Sequence, residues 1–174
     1  MKSLVIYFSR ADENYFGGQM RYIDKGNTEI IAEYIKDIVN ANLFKVERKK
    51  PYSKNYMTCI KEAQDEQRKG EMPELLNYLD DISEYDVIYI GGPIYWGTFP
   101  QPMFTELKRL DFENKIIMPF STHEGSGLAS IVKDIKKYAP NADLRAGLAI
   151  AGSTVSHARG TVEKWIKENI KQSL

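Results

Sequence analysis

Five short strand-like segments alternate along the chain with stretches of helical periodicity, and this alternation constrains the fold more than any other feature of the sequence. We expect strands at residues 3–8, 43–48, 86–93, 115–120 and 144–150. Short apolar strands that alternate with helices are typical of a parallel sheet whose two faces are both covered by those helices. The pattern therefore predicts an α/β fold, a three-layer, doubly wound sandwich with a five-stranded parallel sheet and right-handed crossovers.

The segments between these strands place apolar residues three and four positions apart, which is typical of amphipathic helices. We expect helices at residues 28–39, 56–68, 100–110, around 128–135 and 162–170. A further short helix is expected after Pro73. The remaining long segment, between Arg10 and Lys25, has no clear period and is expected to be irregular.

The size and charge of the chain exclude several classes of protein. With 174 residues, 43% of them hydrophobic, the sequence fits one domain over 1–174. The 24 basic residues balance the 24 acidic ones, and no basic stripe interleaved with aromatic residues occurs, so no nucleic-acid partner is expected.

No segment of the sequence is expected to enter a membrane or direct secretion. No run of ~20 apolar residues occurs, and Ser9 and Arg10 interrupt the apolar start of the chain. A cytoplasmic protein without a membrane partner is therefore expected. Its single cysteine, Cys59, lacks a CxxC partner, which excludes an internal disulfide and predicts no metal site. We interpret Cys59 as a structural residue on a partly buried helix face.

Ligands of open parallel sheets bind beyond the carboxyl ends of the strands, where three loops of this sequence carry unusual residues. The first loop ends in KGNT, at residues 25–28. It is not a P-loop, because Lys25 precedes the glycine. Ser9, Asn27 and Thr28, with the free N–H groups of a helix start, suit a phosphomonoester. Alternatively, Asn27 or Thr28 only caps the helix.

The second and third loops suit a flat ring. In GGPIYWG, at residues 91–97, the glycine pair lets a planar group approach the backbone. Trp96 would then be an exposed stacking surface, unless it folds back over the helices as core. In STHEGSG, at residues 121–127, small residues with free N–H groups could frame a heteroaromatic edge, with His123 and Glu124 facing either ligand or solvent. Together the three loops predict a site for a mononucleotide with a planar head.

The segments FSR, KGNTE, GGPIYWGTFPQP and FSTHEGSG resemble the cofactor loops of the flavodoxin family, in its short-chain form. The resemblance implies strand order 2-1-3-4-5 and FMN as the cofactor. The resemblance assigns the matching positions to three groups. The phosphate group comprises Ser9, Arg10, Asn27 and Thr28, and the ring-edge group comprises Pro93, Ile94, Tyr95, Trp96 and Gly97. The pyrimidine group comprises Ser121, Thr122, His123, Gly125, Ser126 and Gly127.

Two departures from the family pattern concern the cofactor loops. Residues 11–25 intervene between the first hydroxyl and the GNT segment, which lengthens the phosphate loop. The last loop lacks the usual aromatic residue and has His123 and Glu124 in its place. One face of the ring is therefore expected to rest on Trp96 alone.

The resemblance implies a low-potential one-electron carrier that works between a reductase and an electron acceptor, and we expect a monomer. The alternative is an enzyme, an NAD(P)H-dependent quinone or flavin reductase that uses FMN for two-electron transfer. The match to flavodoxins and the small domain favour the carrier. The zero net charge weighs against it, because acidic carriers steer toward basic partners.

Overall fold

The computed structural model of the chain describes residues 1–171. In chain order its elements are β1 (Ser3–Tyr7), β2 (Asp12–Phe16), β3 (Gln19–Ile23), α1 (Asn27–Val39), β4 (Asn42–Lys45), α2 (Tyr56–Arg68), β5 (Val87–Pro93), α3 (Gln101–Leu107), β6 (Ile116–His123), α4 (Ile131–Tyr138), β7 (Asp143–Leu144), β8 (Leu148–Ala151), a 3₁₀ helix (Gly152–His157) and α5 (Arg159–Asn169). None of the helices within this range is long and apolar enough to cross a bilayer.

The central sheet is parallel and runs in the order β4-β1-β5-β6, with β7 and β8 sharing the outer position beside β6. Counted along the chain, the five strand positions follow the order 2-1-3-4-5, as the resemblance to flavodoxins implies. All the carboxyl ends of a parallel sheet lie at one edge, so β1, β5 and β6 deliver their following residues to the same place.

The fifth strand position is split, although the sequence predicts one continuous strand at 144–150. Leu144 lies opposite Ile117 and Leu148 lies opposite Phe120, so four residues of the outer strand face three of β6. Such an extra residue is a bulge, which breaks the ladder locally. It falls beside Pro119, which has no N–H group to donate.

The segment between Arg10 and Lys25 is a β-hairpin, and the prediction of an irregular loop is wrong. Strands β2 and β3 pair antiparallel from Asp12 opposite Ile23 to Phe16 opposite Gln19. Gly17 and Gly18 join them with φ of 61° and 75°, which suits a two-residue hairpin turn. The outer strand β3 is mostly exposed, so β2 makes the contacts with the rest of the protein.

No helix follows Pro73, contrary to the prediction. The backbone there pairs instead with the chain beyond β4, with an antiparallel bridge between Arg48 and Leu75. The amide of Lys49 donates to Glu74, and the amide of Leu76 donates to Glu47. These intersegment hydrogen bonds use the backbone groups that a helix would need.

Helices cover both faces of the sheet, which completes the predicted sandwich. On one face, α1 and α5 pack on the strands through a cluster that includes Ile31, Ile35 and Trp165. On the other, the cluster includes Cys59, Met103 and Ile131 from α2, α3 and α4. Cys59 is 1% exposed, which agrees with its interpretation as a structural residue, although its helix face is fully rather than partly buried, and burial raises the pKa of its thiol.

Candidate functional site

A cleft of about 320 Å³ opens at the carboxyl edge of the sheet. It lies where β1, β5 and β6 end, next to the first turns of α1 and α2, and the hairpin β2–β3 forms part of its wall. The volume is at the lower end of the range of small-molecule clefts, about 300–1,000 Å³.

Most of the predicted cofactor residues line this one cleft, although they come from three distant parts of the sequence. Those at the cleft wall are Ser9, Arg10, Asn27, Thr28, Pro93, Ile94, Tyr95, Trp96, Thr122, His123 and Ser126. Four predicted residues are not part of the wall: Gly97, Ser121, Gly125 and Gly127. Fold topology alone accounts for the assembly, since the three loops follow neighbouring parallel strands.

The first predicted loop and the start of α1 fit together around Gly26. A Cβ atom at Gly26 would lie 2.2 Å from Ser9 Oγ and 2.7 Å from the carbonyl oxygen of Arg10. The φ of Gly26 is −64°, which any residue adopts, so contact rather than conformation requires glycine here. The result is a tight backbone cradle between the end of β1 and the helix.

The capping alternative for Asn27 and Thr28 is wrong. Both residues lie inside the first turn of α1, and Ser9 Oγ accepts the N–H of Glu29 from outside the helix, at 3.1 Å. The N–H groups of Asn27 and Thr28 precede that donor, and no helix carbonyl can reach them. They are therefore available as donors to an anion at the positive end of the helix dipole.

The hydroxyl of Thr28 belongs to a buried pair with Thr122 at the end of β6. The two Oγ1 atoms are 2.7 Å apart, and both residues are buried. When Thr122 donates to Thr28, the proton of Thr28 is free to point into the cleft, which both residues line. The pair thus connects the first and third loops and can present one directed hydroxyl donor.

Arg10 organises the backbone around this end of the cleft. Its guanidinium donates to the carbonyl oxygens of Glu13, Ser53 and Lys54, the latter two at 2.8 Å. These bonds tie the hairpin to the segment before α2. Because a guanidinium has five N–H donors and a permanent charge, Arg10 also places positive charge beside an anion in the cleft.

Trp96 stands at the rim of the cleft in a strained turn. It is 48% exposed, so the alternative in which it belongs to the core is wrong. Tyr95 and Thr98 exchange hydrogen bonds across the turn, and Trp96 and Gly97 between them have φ of 54° and 86°. A bulky residue with positive φ costs of order 1–3 kcal/mol. The strain holds an indole ring at the surface, where its Nε1 donates to Ile60 of α2 at 2.8 Å.

Both carbonyl groups of that turn are held by side chains. The amide of Gln67 donates to the oxygen of Trp96 at 3.2 Å. The backbone N–H and the hydroxyl of Ser130 lie 3.0 and 2.7 Å from the oxygen of Gly97. Gly97 is not part of the cleft wall, although the resemblance places it along the ring edge.

Asp134 anchors the same turn from α4. Its Oδ2 accepts from Thr98 at 2.6 Å and lies 2.8 Å from the hydroxyl of Ser130. Burial alone would raise the pKa of Asp134, but these hydrogen bonds and the neighbouring Lys137 lower it below its ordinary value. The aspartate is therefore an anionic anchor for the turn at neutral pH.

The third predicted loop begins later than expected, because β6 continues through His123. Ser121 is fully buried and its hydroxyl donates to Gly127, which makes both residues supports of the loop rather than part of the wall. The N–H of Gly125 donates to His123 Nδ1 at 2.8 Å. Thr122, His123 and Ser126 are the members that reach the cleft.

Six further residues line the cleft that were not predicted as cofactor ligands: Asn14, Tyr15, Tyr56, Ile60, Glu124 and Gly152. Tyr56 and Ile60 are four apart and lie on one face of α2. Gly152 is confined, since a Cβ there would lie 2.5 Å from Glu124 and 2.8 Å from Asn27. Glu124 lies in the third predicted loop, where the sequence allows it to face either ligand or solvent. Tertiary contacts bring in the other five, for which only the Gly-Gly turn of the hairpin gave a signal in the sequence.

The cleft combines two kinds of surface. One end has helix N–H groups, hydroxyls and Arg10, which suit a phosphomonoester. The other has Trp96, Tyr56 and Tyr95, which suit a planar ring. Burial raises the pKa of Tyr56 and raises that of Tyr95 well above its ordinary value, so both phenols are neutral donors at pH 7. The residues present fit a mononucleotide whose base is a flat ring system.

Solved structures share this fold over nearly the whole chain. A Bacteroides uniformis protein that is provisionally named a flavoprotein is 26% identical, with a TM-score of 0.74, 95% of this chain covered and 97% of the other. A Lactobacillus acidophilus flavoprotein, solved in complex with FMN, is 22% identical, with a TM-score of 0.61 and coverage of 89% and 96%. Oxidised flavodoxin 2 of Bacillus cereus is 16% identical, with a TM-score of 0.51 and coverage of 97% and 99%.

Sequence comparison assigns the family. No curated protein sequence matches the chain. A family model described as flavodoxin matches residues 20–169, which include α1, every strand of the central sheet except β1, and two of the three loops at the cleft. On this match over most of its length, the chain belongs to the flavodoxin family.

Proposed function

We propose that this flavodoxin binds FMN in the cleft and carries single electrons between a reductase and an electron acceptor in the cytoplasm, as a monomer. The cofactor proposal is supported by the family, by the L. acidophilus relative solved with FMN, and by the two-part chemistry of the cleft. FMN supplies a ring that accepts and releases electrons. The protein's own residues hold its phosphate and shield its ring.

The size of the cleft is the observation that favours a carrier. At about 320 Å³ it is at the lower end of the range of small-molecule clefts, which suits one mononucleotide rather than a mononucleotide and a second ligand. An enzyme that passes electrons to a small substrate needs that second space, whereas a carrier needs only an exposed ring edge. The exposed rim at Trp96 leaves such an edge open to a partner protein.

A two-electron NAD(P)H-dependent quinone or flavin reductase is the second candidate, and one observation favours it. The net charge is zero, which removes the long-range field that steers an acidic carrier to basic partners. The exposed rings of Tyr15 and Trp96 at the mouth could also stack on a second planar molecule.

Two measurements test these proposals in sequence. The apoprotein is titrated with FMN and with FAD, and a one-to-one complex with FMN in preference to FAD is expected. Failure to bind FMN would overturn the cofactor proposal. The complex is then mixed with NADH or NADPH and a quinone, and separately titrated with dithionite. Two resolved one-electron steps without turnover support the carrier, whereas rapid turnover and a single two-electron step support the reductase.

A further inference from the structure

The hairpin β2–β3 occupies a place in the site that the proposed function does not explain. It interrupts the chain between Ser9 and Gly26, the two residues that form the phosphate cradle. Two of its side chains, Asn14 and Tyr15, line the cleft. An isolated two-stranded hairpin is at best marginally stable, so its position must come from contacts with the rest of the protein.

One end of the hairpin is fixed to α2 and the segment before it. Glu13 Oε1 accepts the N–H of Tyr56 at 3.0 Å, in the first turn of the helix. The guanidinium of Arg10 donates to the carbonyl of Glu13 and also to Ser53 and Lys54. The carboxylate of Glu13 and the guanidinium of Arg10 thus both tie β2 to α2 and the segment before it.

The other end is fixed to the loop after β6, on the opposite side of the cleft. The N–H of Gly17, in the hairpin turn, donates to Glu124 Oε2 at 3.0 Å. Phe16 is buried, and its Cβ lies 3.0 Å from the position that a side chain at Gly152 would take. The strand β2 therefore spans the cleft between two anchors, one on α2 and one beyond β6.

Tyr15 is the aromatic residue of this span. It is 44% exposed and lines the cleft, and its ring centre is 6.3 Å from that of Tyr56, with the planes tilted by 32°. One turn further along α2 from Tyr56, the carbonyl of Ile60 accepts the indole N–H of Trp96. Tyr15 thus extends the aromatic wall of the ring end toward the phosphate end.

We propose that the hairpin is a clasp over the bound mononucleotide, with Tyr15 as a cofactor-contacting residue and Glu124 as the positioning residue that keeps the clasp closed. This proposal rests on the proposed function, since it requires that FMN occupies the cleft. A ligand held only at its phosphate and its ring can leave when either end loosens. A clasp anchored on both sides closes the middle of the cleft and slows that release.

The test measures the rate at which the FMN complex dissociates, followed by the change in the flavin absorbance spectrum as excess competing apoflavoprotein captures the released FMN. Tyr15→Ala should release FMN about two- to tenfold faster, since an aromatic contact is of the order of one tenfold step in affinity. Tyr15→Phe keeps the ring and should release FMN at the wild-type rate.

Tyr22→Ala is the matched control. Tyr22 lies on the outer strand of the same hairpin, is 67% exposed and is absent from the cleft wall, and its hydroxyl donates to Asp12. Its release rate should equal that of the wild type. Equal acceleration by Tyr22→Ala and Tyr15→Ala would indicate general loosening of the hairpin and would overturn the role of Tyr15.

Two substitutions of Glu124 distinguish its role as the hydrogen-bond acceptor for Gly17 from the effect of its negative charge on the phosphate. Glu124→Gln keeps an acceptor oxygen for Gly17 and should retain the wild-type rate, whereas Glu124→Ala removes the anchor and should accelerate release. If Glu124 acts only by repelling the phosphate, both variants will release FMN more slowly. In the Tyr15→Ala, Glu124→Ala double variant the accelerations should not multiply, because one residue acts through the other.

The outcomes distinguish the clasp from the proposed function. Wild-type protein that does not bind FMN would overturn both. Wild-type protein that binds FMN, with an unchanged release rate in folded Tyr15→Ala and Glu124→Ala, would overturn the clasp and leave the cofactor proposal intact. Far-UV circular dichroism and the melting temperature establish that each variant is folded.

Discussion

Replacement of Gly26 by alanine should weaken binding at the phosphate end of the cofactor site and leave binding at the ring end unchanged. The new methyl group would lie 2.2 Å from Ser9 Oγ and within 3 Å of the Arg10 backbone, about 1 Å short of ordinary van der Waals contact. Ser9 can rotate away only by giving up the N–H of Glu29. The Arg10 backbone can move only if the whole end of β1 moves.

The magnitude follows from these contacts. Overpacking of this kind costs about 1–3 kcal/mol of stability, which lowers the melting temperature by about 2–12 °C in a chain of this size. Displacement of the cradle should also remove a hydrogen bond to a charged phosphate, worth about 1.5–3 kcal/mol. FMN should therefore bind roughly ten- to a hundredfold more weakly.

Riboflavin provides the discriminating assay because it has the same ring and no phosphate. Titrations followed by flavin fluorescence should give similar riboflavin affinities for the wild type and Gly26→Ala. Gly160→Ala is the control, since no heavy atom lies within 4 Å of its new Cβ and alanine favours its helix, α5. Equal losses of riboflavin and FMN affinity would refute the assignment of Gly26 to the phosphate end.

Three further predictions address the ring end, the core and the pH dependence. Trp96→Ala should weaken FMN binding by about 0.5–1.5 kcal/mol and Trp96→Phe by less, measured by titration; equal affinities would place the indole away from the ring. Cys59, which is 1% exposed and has a raised thiol pKa, should react with a thiol reagent only in denaturant at pH 8, and rapid reaction of the native protein would contradict its burial. Burial raises the pKa of Glu106 in the folded protein above its ordinary value of 4.5. The protonated carboxyl therefore contributes its full stabilisation of the folded state below pH 4.5, and this stabilisation is lost as the pH rises through the folded pKa. Glu106→Gln should therefore lose less stability than the wild type as the pH rises from 4.5, measured by urea unfolding; parallel curves would refute this.

The parallel sheet and its helices could be predicted because their signals are local. Apolar strands such as 3–8 and the helical period of 28–39 depend on nearby residues, and the structure places β1 and α1 within one residue of these limits. The segment after Pro73 could not be predicted in this way, because its backbone bonds to residues 47–49. Hydrogen bonds to residues distant in the sequence override the weak local preference of this segment for a helix.

The site was predictable to the extent that loops follow strands. Ser9, Pro93 and Thr122 each stand at or just beyond a strand end, so topology alone brings them to one edge. Tyr56 carries no such signal, because the packing of α2 positions it, and Gly152 follows the last strand in a loop without an unusual motif. The hairpin did have a signal, a Gly-Gly pair between Phe16 and Gln19, but low apolar content concealed its strands.

If the protein carries electrons as proposed, the hydrogen bonds from Gln67 and Ser130 to the turn at Trp96 bear on the rate of electron transfer. A flavin ring changes its proton and hydrogen-bond requirements on reduction, and a protein that must rearrange in response adds a reorganisation barrier to each transfer. Here the carbonyl of Trp96 already accepts from the amide of Gln67, and that of Gly97 accepts from the backbone N–H of Ser130, whose hydroxyl lies 2.8 Å from Asp134 Oδ2. In the proposed FMN complex these dipoles would keep one orientation in both oxidation states, so the turn would add little to that barrier.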